Sequence, residues 1–396
     1  MTTRDELAAL AKSGAELGQR TAGALAVARW GAGASEDARA SLYAVTALTS
    51  WVFFGAKRDN RPEPIFWHNF RVGEDVNQSN AGNPLRHLKT FIAVAHDVCE
   101  DSRKLRPDNP VTPEGVARLW RGSEAEKQLI IDVLYLKTDA VGLEGDARRA
   151  RQHERVVEVA AGKHSQAGKI YAEIMAADKT DNIRADLEDM QQNRISFASR
   201  AKGLEYLFKK AADAQIVSEL PVTASVKEEF QSLYESVISH AIIHRLIPAN
   251  GKFEESRDNR LAEKLTRAQA ASKRQPPSEK DAYNFNNFTG RKTRKLASEL
   301  TRLKGRKLKF TSRTKGLEYA FIRTAEALTV HASPVDPVAK SRHAKAYKDV
   351  MRELLYAGSI TPTIIEIRTS LFPPLRTPHN GRIQITIPPP QQHNKG

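Results

Sequence analysis

The sequence has little of what a secreted or membrane-spanning protein requires. Its single cysteine, Cys99, excludes an internal disulfide framework and indicates a reducing compartment. The first residues carry charges and lack the apolar stretch that secretory signals contain. The longest uncharged run, residues 40–56, is short for a membrane span and includes several hydroxyl side chains, so we interpret it as a core helix. We therefore predict a cytoplasmic protein without a membrane span.

The residues that are present favour a mainly α-helical chain of two domains. Of the 396 residues, 40% are hydrophobic, and long runs rich in alanine and leucine repeat at helical spacing. We predict an N-terminal helix over residues 1–35 and a helical bundle over 36–248. A polar linker over 249–290 and a basic domain over 291–387 follow. We expect a short β-hairpin within that domain, and a disordered tail over residues 388–396.

Basic residues are concentrated in one part of the chain. The net charge is +15, and residues 252–315 contain 19 Lys and Arg against 7 Asp and Glu. Such a segment attracts polyanions, so we expect nucleic acid, a ribosome, an anionic surface or an acidic partner to bind it. Aromatic residues precede the basic cluster at 291–295. This pattern suits either single-stranded nucleic acid or an anchored loop followed by a solvated basic helix.

The segment HDVCED, residues 96–101, ends an apolar helix and is the strongest sign of chemistry. His96 and Asp97 carry ligand types that suit a divalent first-row metal. Glu100 and Asp101 follow one helical turn later, so they return to the same face. Burying four such groups together is costly unless a metal or substrate lies between them.

Two further residues complete a metal-ligand pattern. His68 follows a helix start marked by Pro64, and Asp178 lies in an alanine-rich helical stretch. The order of these residues, H…HD…D, resembles that of the HD phosphohydrolase superfamily. The resemblance implies an HD-type helical bundle and one cation, Mn²⁺, held by four residues: His68, His96, Asp97 and Asp178.

Five segments in order over residues 40–200 narrow the resemblance to the hydrolase domain of RelA/SpoT-type alarmone enzymes. They are KRDNRPEPIFWH (57–68), HDVCEDS (96–102), VTPE with ARLW (111–120), LYLKT (134–138) and ADKTDNIR (177–184). The resemblance implies that Glu100 and Asp101 orient and deprotonate the water that attacks the 3′-pyrophosphate of (p)ppGpp. It also implies that Asn182 contacts the ribose, and that Lys57 and Arg58 face the base or a phosphate of the nucleotide substrate.

The chain departs from the family pattern on the side that would bind the nucleotide. Arg61-Pro62 replaces Ser-Gly, and the spacing from Arg58 to His68 is one residue longer. Asp181 replaces a histidine of the last motif, and residues 139–165 resemble an insertion. The metal ligands are retained, so an alternative function is a generic or degenerate HD protein whose basic C-terminal region binds nucleic acid or another polyanion.

One sequence pattern occurs twice. Residues 197–208 and 310–321 both read F-x-SR-x-KGLEY-x-F. The interval between the two copies is too long for a solenoid repeat. Two interpretations remain open: two helix starts that bind similar anions or dock on each other, or the remnant of a duplication.

Overall fold

The computed structural model describes residues 24, 27–56, 63–139, 145–244, 252–274 and 276–356. These residues are mainly helical, as predicted, and contain no strand. The helices are α1 (Glu36–Val52), α2 (Phe66–Ser79), α3 (Arg86–Ala95), α4 (Val98–Leu105), α5 (Pro113–Ala117), α6 (Glu124–Lys137), α7 (Gly145–Ala160), α8 (Ser165–Gln191), α9 (Arg200–Glu219), α10 (Ala224–Ile243), α11 (Lys252–Ser272), α12 (Glu279–Lys304), α13 (Arg313–Ala332) and α14 (Pro337–Tyr356).

Helix α3 is the centre of the first hydrophobic core. Its apolar residues, including Leu88, Phe91 and Ile92, are fully buried. The helix packs against α1, α2, α6 and α8. The run at 40–56, predicted as a core helix, is largely α1, which buries Leu42 and Val45 in this core. The C-terminal end of α3, where the HD pair follows, is therefore surrounded by helices.

Short polar signals fix where the helices of this core begin. Thr112 caps α5 through a hydrogen bond from Gly115 N to its hydroxyl, and Pro113 occupies the first turn, as helix-start preferences require. Ser123 and Glu126 form a reciprocal capping box at the start of α6. The capping box fixes the residue at which α6 begins, and Lys137 lies in the last turn of this helix.

Helix α8 belongs to two hydrophobic cores. Its N-terminal half buries Ile174 and Met175 in the first core, and its C-terminal half buries Ile183 and Met190 in a second. With 27 residues at 1.5 Å each, the helix is about 40 Å long. Asp178 lies near its midpoint, at the junction of the two cores.

The polar stretch 249–290, predicted as a linker, is largely helical. Residues from Lys252 to Ser272 form α11, and α12 begins at Glu279 after the non-helical residues 276–278. Each helix buries only a narrow face, through residues such as Leu265 and Phe285, so the composition looks like that of a linker. The second core includes residues from before and after residue 248, the predicted end of the bundle.

The repeated sequence pattern marks two helix starts with the same geometry. Ser199 caps α9 and Ser312 caps α13, with φ/ψ of −156°/162° and −158°/162°. Each hydroxyl accepts a hydrogen bond from the N–H three residues later, at Lys202 and Lys315. Matching aromatic pairs lie beside the caps, with ring centroids 5.2 Å apart in both: Phe197–Tyr206 and Phe310–Tyr319.

The two copies of the repeated pattern are 113 residues apart. The same interval relates three consecutive helices of one part of the chain to three consecutive helices of another. Arg200–Glu219 corresponds to Arg313–Ala332, and Ala224–Ile243 to Pro337–Tyr356, each pair with 20 residues. Helices α8 and α12 likewise end 113 residues apart, at Gln191 and Lys304. In each set of three helices, the first helix packs on both of the others: α8 on α9 and α10, and α12 on α13 and α14. The chain therefore contains a duplicated helical unit.

An ion-pair network is duplicated with the helices. In the first unit, a lysine of α8 pairs with an acid of α9, and a lysine of α9 pairs with an acid of α8. The second unit has a basic and an acidic residue at each of the corresponding positions, 113 residues later. The corresponding pairs are Lys179–Asp213 (2.9 Å) with Lys292–Glu326, and Lys210–Asp186 (2.5 Å) with Arg323–Glu299 (2.9 Å). Buried charges must be paired, so this network explains why these positions kept their charge types.

The two units pack as a pseudo-symmetric pair. Helix α9 packs on its counterpart α13, and the contacts of α9 with α14 are matched by those of α10 with α13. The hydroxyls of Tyr234 and Tyr347, which occupy equivalent positions, are 3.5 Å apart. Reciprocal contacts of this kind characterise isologous interfaces. The structure thus supports the duplication interpretation, and the two helix starts also lie on helices that dock on each other.

Several predictions concern residues outside the described ranges. They include most of the N-terminal helix at 1–35, the β-hairpin within 363–387 and the tail at 388–396. No helix among the described residues has the length and apolarity that crossing a bilayer demands.

Candidate metal centre

Three helices bring the predicted metal ligands together. His68 lies in the first turn of α2, and His96 and Asp97 lie in the turn between α3 and α4. Asp178 projects from the middle of α8, which packs on α2. His68, His96 and Asp178 are buried, and one ligand atom of each lies within 4.8 Å of the others.

The distances between ligand atoms suit a single small cation. His68 Nε2 is 3.2 Å from Asp178 Oδ1, and His96 Nε2 is 3.9 Å from the same oxygen. Asp97 Oδ2 lies 2.9 Å from His96 Nε2 and 3.7 Å from His68 Nε2. Ligands in a regular octahedron about 2.1 Å from a cation stand about 3 Å apart. His68, His96 and Asp178 therefore form one group that could hold a cation, and Asp97 lies beside its two imidazoles.

Each imidazole is oriented through its other ring nitrogen. His96 Nδ1 lies 2.8 Å from Ala93 O, an acceptor, so it carries the proton and leaves the Nε2 lone pair free. His68 Nδ1 lies 2.8 Å from Asp181 Oδ2, which favours the same tautomer. His96 Nε2 is buried, and its one close polar neighbour among the described residues is the predicted ligand Asp97, whose Oδ2 lies 2.9 Å away. A nitrogen lone pair of this kind is what a metal requires.

Asp181 is held by an arginine on the helix that carries His68. Arg71 donates to both carboxylate oxygens of Asp181, with distances of 2.8 and 3.1 Å, and also binds Glu63. Asp181 is fully buried, yet Arg71 and His68 hold its pKa well below the usual range against the effect of burial. Asp181 therefore remains a carboxylate and acts as a positioning residue for His68.

Asp178 is oriented through both of its oxygens. Lys137, from the end of α6, binds Oδ2, while Oδ1 faces the two imidazoles. Asn182, one turn along α8, donates to Oδ1 at 2.7 Å. Burial opposes ionisation of Asp178, but Lys137 and His68 outweigh it and lower the pKa of this carboxyl. The same balance, led by His96 and then Lys137, lowers the pKa of Asp97.

Glu100 and Asp101 form an acidic pair next to the HD dipeptide. Burial and the charges of Asp97 and Glu100 raise the pKa of Asp101 to about 7. Burial also raises the pKa of Glu100, although Arg148 of α7 binds this carboxylate at 2.7 Å. The segment predicted as an insertion thus contributes a cation to the edge of the site.

The other predicted residues fall into three groups. Lys57 and Arg58 lie outside the described residues. His87 is half-buried and is not a member of the metal-ligand group. Cys99 is buried, and burial raises the pKa of its thiol to about 12, which suits an inert core residue rather than a nucleophile.

Sequence reasoning missed three residues that support the site: Lys137, Arg71 and Asp181. Asp181 stands out in the sequence only as the replacement of a family histidine. Arg71 lies one turn after His68, a spacing typical of neighbours on one helix face, and this was an available signal. Lys137 belongs to the LYLKT motif, but its approach to Asp178 depends on how α6 packs on α8.

Comparison with known proteins gives no support from relatives. No family model, no curated protein and no solved structure matches this chain significantly. The resemblance to the HD superfamily therefore consists of the motifs and the geometry of the residues described above.

Proposed function

We propose that the chain is a metal-dependent phosphohydrolase of the HD type that acts on a nucleotide, with (p)ppGpp as the substrate that its motifs favour. The observation that carries the proposal is the convergence of His68, His96 and Asp178, with both imidazole Nε2 atoms directed inward and Asp97 beside them. A surface helix end would need no such orientation, and burial of these groups without a cation would be costly.

The donor set fits a divalent metal, and the resemblance favours Mn²⁺. Two imidazole nitrogens, which are borderline ligands, and two carboxylates, which are hard ligands, suit Mn²⁺ as well as other first-row cations. A cation between the buried Nε2 of His96 and the neighbouring Asp97 carboxylate would give both groups a partner. When bound, the cation supplies Lewis-acid polarisation of a phosphoryl oxygen and an acidified water.

The chain's own residues would orient the water and move its proton. Glu100 and Asp101 are carboxylates on the turn next to Asp97, and accepting a proton would relieve the mutual repulsion of the three acids. Lys137 keeps Asp178 ionised and directs its Oδ1 to the imidazoles. Arg148 adds a positive charge beside Glu100, where a phosphate could be bound.

The substrate follows from the motifs more than from the geometry. Asn182 would contact a ribose and Lys57 with Arg58 a base or phosphate, as the resemblance implies. The test incubates the protein with Mn²⁺ and a panel of nucleotides, and measures phosphate and pyrophosphate separately. Pyrophosphate from (p)ppGpp alone supports the specific assignment, phosphate from several nucleotides supports a generic HD enzyme, and no release with any nucleotide contradicts hydrolysis.

A second candidate function, polyanion binding, is favoured by the duplicated unit. Helix α12 carries Arg291, Arg294 and Lys295 at the positions equivalent to Asp178, Asp181 and Asn182 of α8, and all three are exposed. The acidic face of one unit is thus a basic face in the other.

Further cations adjoin this basic face of α12. Burial and the charges of Lys292, Arg291 and Arg260 lower the pKa of Lys264. An anionic partner would relieve the repulsion between these positive charges, so the cluster favours binding of a polyanion. Tyr283, with 69% of its surface exposed, lies on the same helix and offers a ring on which a base could stack.

Charge reversal separates this activity from hydrolysis. Replacing Arg291, Arg294 and Lys295 by Glu should weaken binding of single-stranded nucleic acid and reduce its log–log salt slope by about one unit per lost phosphate contact. Lys292 is kept, because it binds Glu326 inside the unit.

The matched control reverses three exposed cations on the first core, Arg118, Arg121 and Lys163. Equal loss of binding in both triple variants would show a general charge effect and would contradict a specific face. Turnover of a small nucleotide should be the same in both variants.

A further inference from the structure

A cavity of about 580 Å³ lies between the two duplicated units. Helices α9 and α10 of the first unit and α13 and α14 of the second form its walls. Its lining comes largely in equivalent pairs, such as Ala214 with Ala327, Tyr234 with Tyr347 and Lys227 with Lys340. The volume falls in the range of small-molecule sites. The residues of the metal centre do not line it.

The walls are mainly apolar, with one polar cluster. Tyr347 is hydrogen-bonded to Thr324 through hydroxyl oxygens 2.9 Å apart and lies 3.5 Å from the Tyr234 hydroxyl. His343, also in the lining, is 1% exposed, and its Nε2 has no hydrogen-bond partner among the described residues. A buried polar atom without a partner is costly, so a hydrogen-bonding group of a ligand in the cavity would stabilise this wall.

Positive charge dominates the ionic groups of the cavity. Lys227, Lys340 and Lys348 line it, and within the described ranges no carboxylate lies within ion-pairing distance of their ammonium groups. Lys227 donates to Ser218 O at 3.1 Å and Lys340 to His331 O at 2.9 Å, so both are held beside the cavity by equivalent contacts.

One of the two carboxylates in the cavity lining is already engaged. This carboxylate, that of Glu235, lies 2.8 Å from His331 Nδ1 and accepts from Gln231 at 2.8 Å. Burial lowers the pKa of Lys340, and the charge of Glu235 only partly offsets this effect. A cation that is partly removed from water and lacks a counterion would bind an anion favourably.

We propose that this cavity binds a small amphipathic anion, whose apolar body contacts the alanine and aromatic walls and whose anionic head is bound by one of the two equivalent lysines, Lys227 or Lys340. The site is separate from the metal centre, so the inference does not depend on the proposed hydrolysis. This class of ligand follows from three observations. In the described part of the chain, two lysines lack a carboxylate partner, a buried histidine nitrogen lacks a hydrogen-bond partner, and the apolar volume has a suitable size.

The experiment uses the full chain in EDTA, with 1-anilinonaphthalene-8-sulfonate as a fluorescent probe. The probe should bind at one site per chain, and decanoate should displace it at least about tenfold more effectively than decanol, because a hydrogen bond to a charged group contributes roughly this much. The Asp97→Ala variant should give the same result, since the metal centre plays no part.

Variants test which residues bind the head and the body. Lys227→Met with Lys340→Met should remove the preference for decanoate and leave displacement by decanol unchanged. Lys345→Met is the matched control, because this exposed lysine of α14 does not line the cavity. Ala327→Phe should weaken binding of all three compounds by filling the apolar volume.

Several results would overturn the proposal. They are the absence of a single probe site, equal displacement by decanoate and decanol, and an equal effect of the Lys345 control. Probe affinity that Ala327→Phe leaves unchanged would also overturn it. Circular dichroism of each variant separates a loss of binding from a loss of fold, and the lysine variants alter only side chains at the cavity edge.

Discussion

Replacing Asp181 by Asn should weaken metal binding although Asp181 is not expected to touch the metal. The Asp181 carboxylate accepts from His68 Nδ1 at 2.8 Å and fixes the tautomer that leaves Nε2 free. An amide at this position can present its NH₂ group to the ring and favour the opposite tautomer, with the proton on Nε2. The metal would then compete with that proton.

The magnitude follows from the partners that Asp181 serves. Loss of a group that orients a ligand histidine typically lowers metal affinity by about 10–100-fold. The variant also leaves Arg71 with Glu63 as its remaining partner among those described here, and breaking a buried pair costs about 3–5 kcal/mol. Because Arg71 keeps one partner, we expect a loss near 3 kcal/mol.

Calorimetric titration of the metal-stripped protein with Mn²⁺ measures the affinity, and urea unfolding measures the stability. Asp189→Asn is the matched control, since Asp189 is buried on the same helix and binds Arg194 at 2.6 Å away from the site. The control should lose stability and keep its Mn²⁺ affinity. If Asp181→Asn binds Mn²⁺ within twofold of the parent, the orienting role assigned to this residue is wrong.

Three further predictions concern the candidate site and the cavity. His96→Ala or Asp97→Ala should abolish bound metal and hydrolysis together while circular dichroism keeps its helical signal, and full metal content in both variants would refute the ligand assignment. Glu100→Gln with Asp101→Asn should keep metal and substrate affinity but lower the turnover rate by about 10²–10⁴-fold, and a near-normal rate would leave these acids with a structural role. Burial lowers the pKa of His343 to about 4, below the 6.5 of the unfolded chain, so the stability of the folded form should fall as the pH drops from 6.5 towards 4. His343→Phe, which introduces the residue type of the equivalent Phe230, should remove up to about 3 kcal/mol of this loss in urea unfolding, and an unchanged pH slope would contradict the assignment.

The residues of the candidate metal centre could be predicted from the sequence because each of them lies in a recognisable local sequence pattern. His96 and Asp97 end an apolar helix, and Asp178 lies on a helix with alanine on one side, so both contexts can be read within one or two turns. Lys137 and Arg148 approach from α6 and α7, and their contacts arise from how separate helices pack. No periodicity within one segment carries that information.

The helical class was also predictable, whereas the arrangement of the C-terminal half was not. Polar helices α11 and α12 resemble a linker in composition, because each buries one narrow face and exposes the rest. The repeated SR-x-KGLEY pattern indicated a relation between two helix starts. Its extension over three helices became apparent only from equal lengths and from ion pairs such as Lys179–Asp213 and Lys292–Glu326.

Helix α8 has a mechanical consequence for the site. The N-terminal half of this helix packs in the first hydrophobic core, around α3, and its C-terminal half packs in the second core. Because an α-helix is stiff along its axis, a tilt of the C-terminal half of α8 would also displace the residues of its N-terminal half. Such a tilt would move the Asp178 carboxylate relative to the two imidazoles, which lie on other helices of the first core. The fit of the site around a cation thus depends on residues far beyond those that contact it.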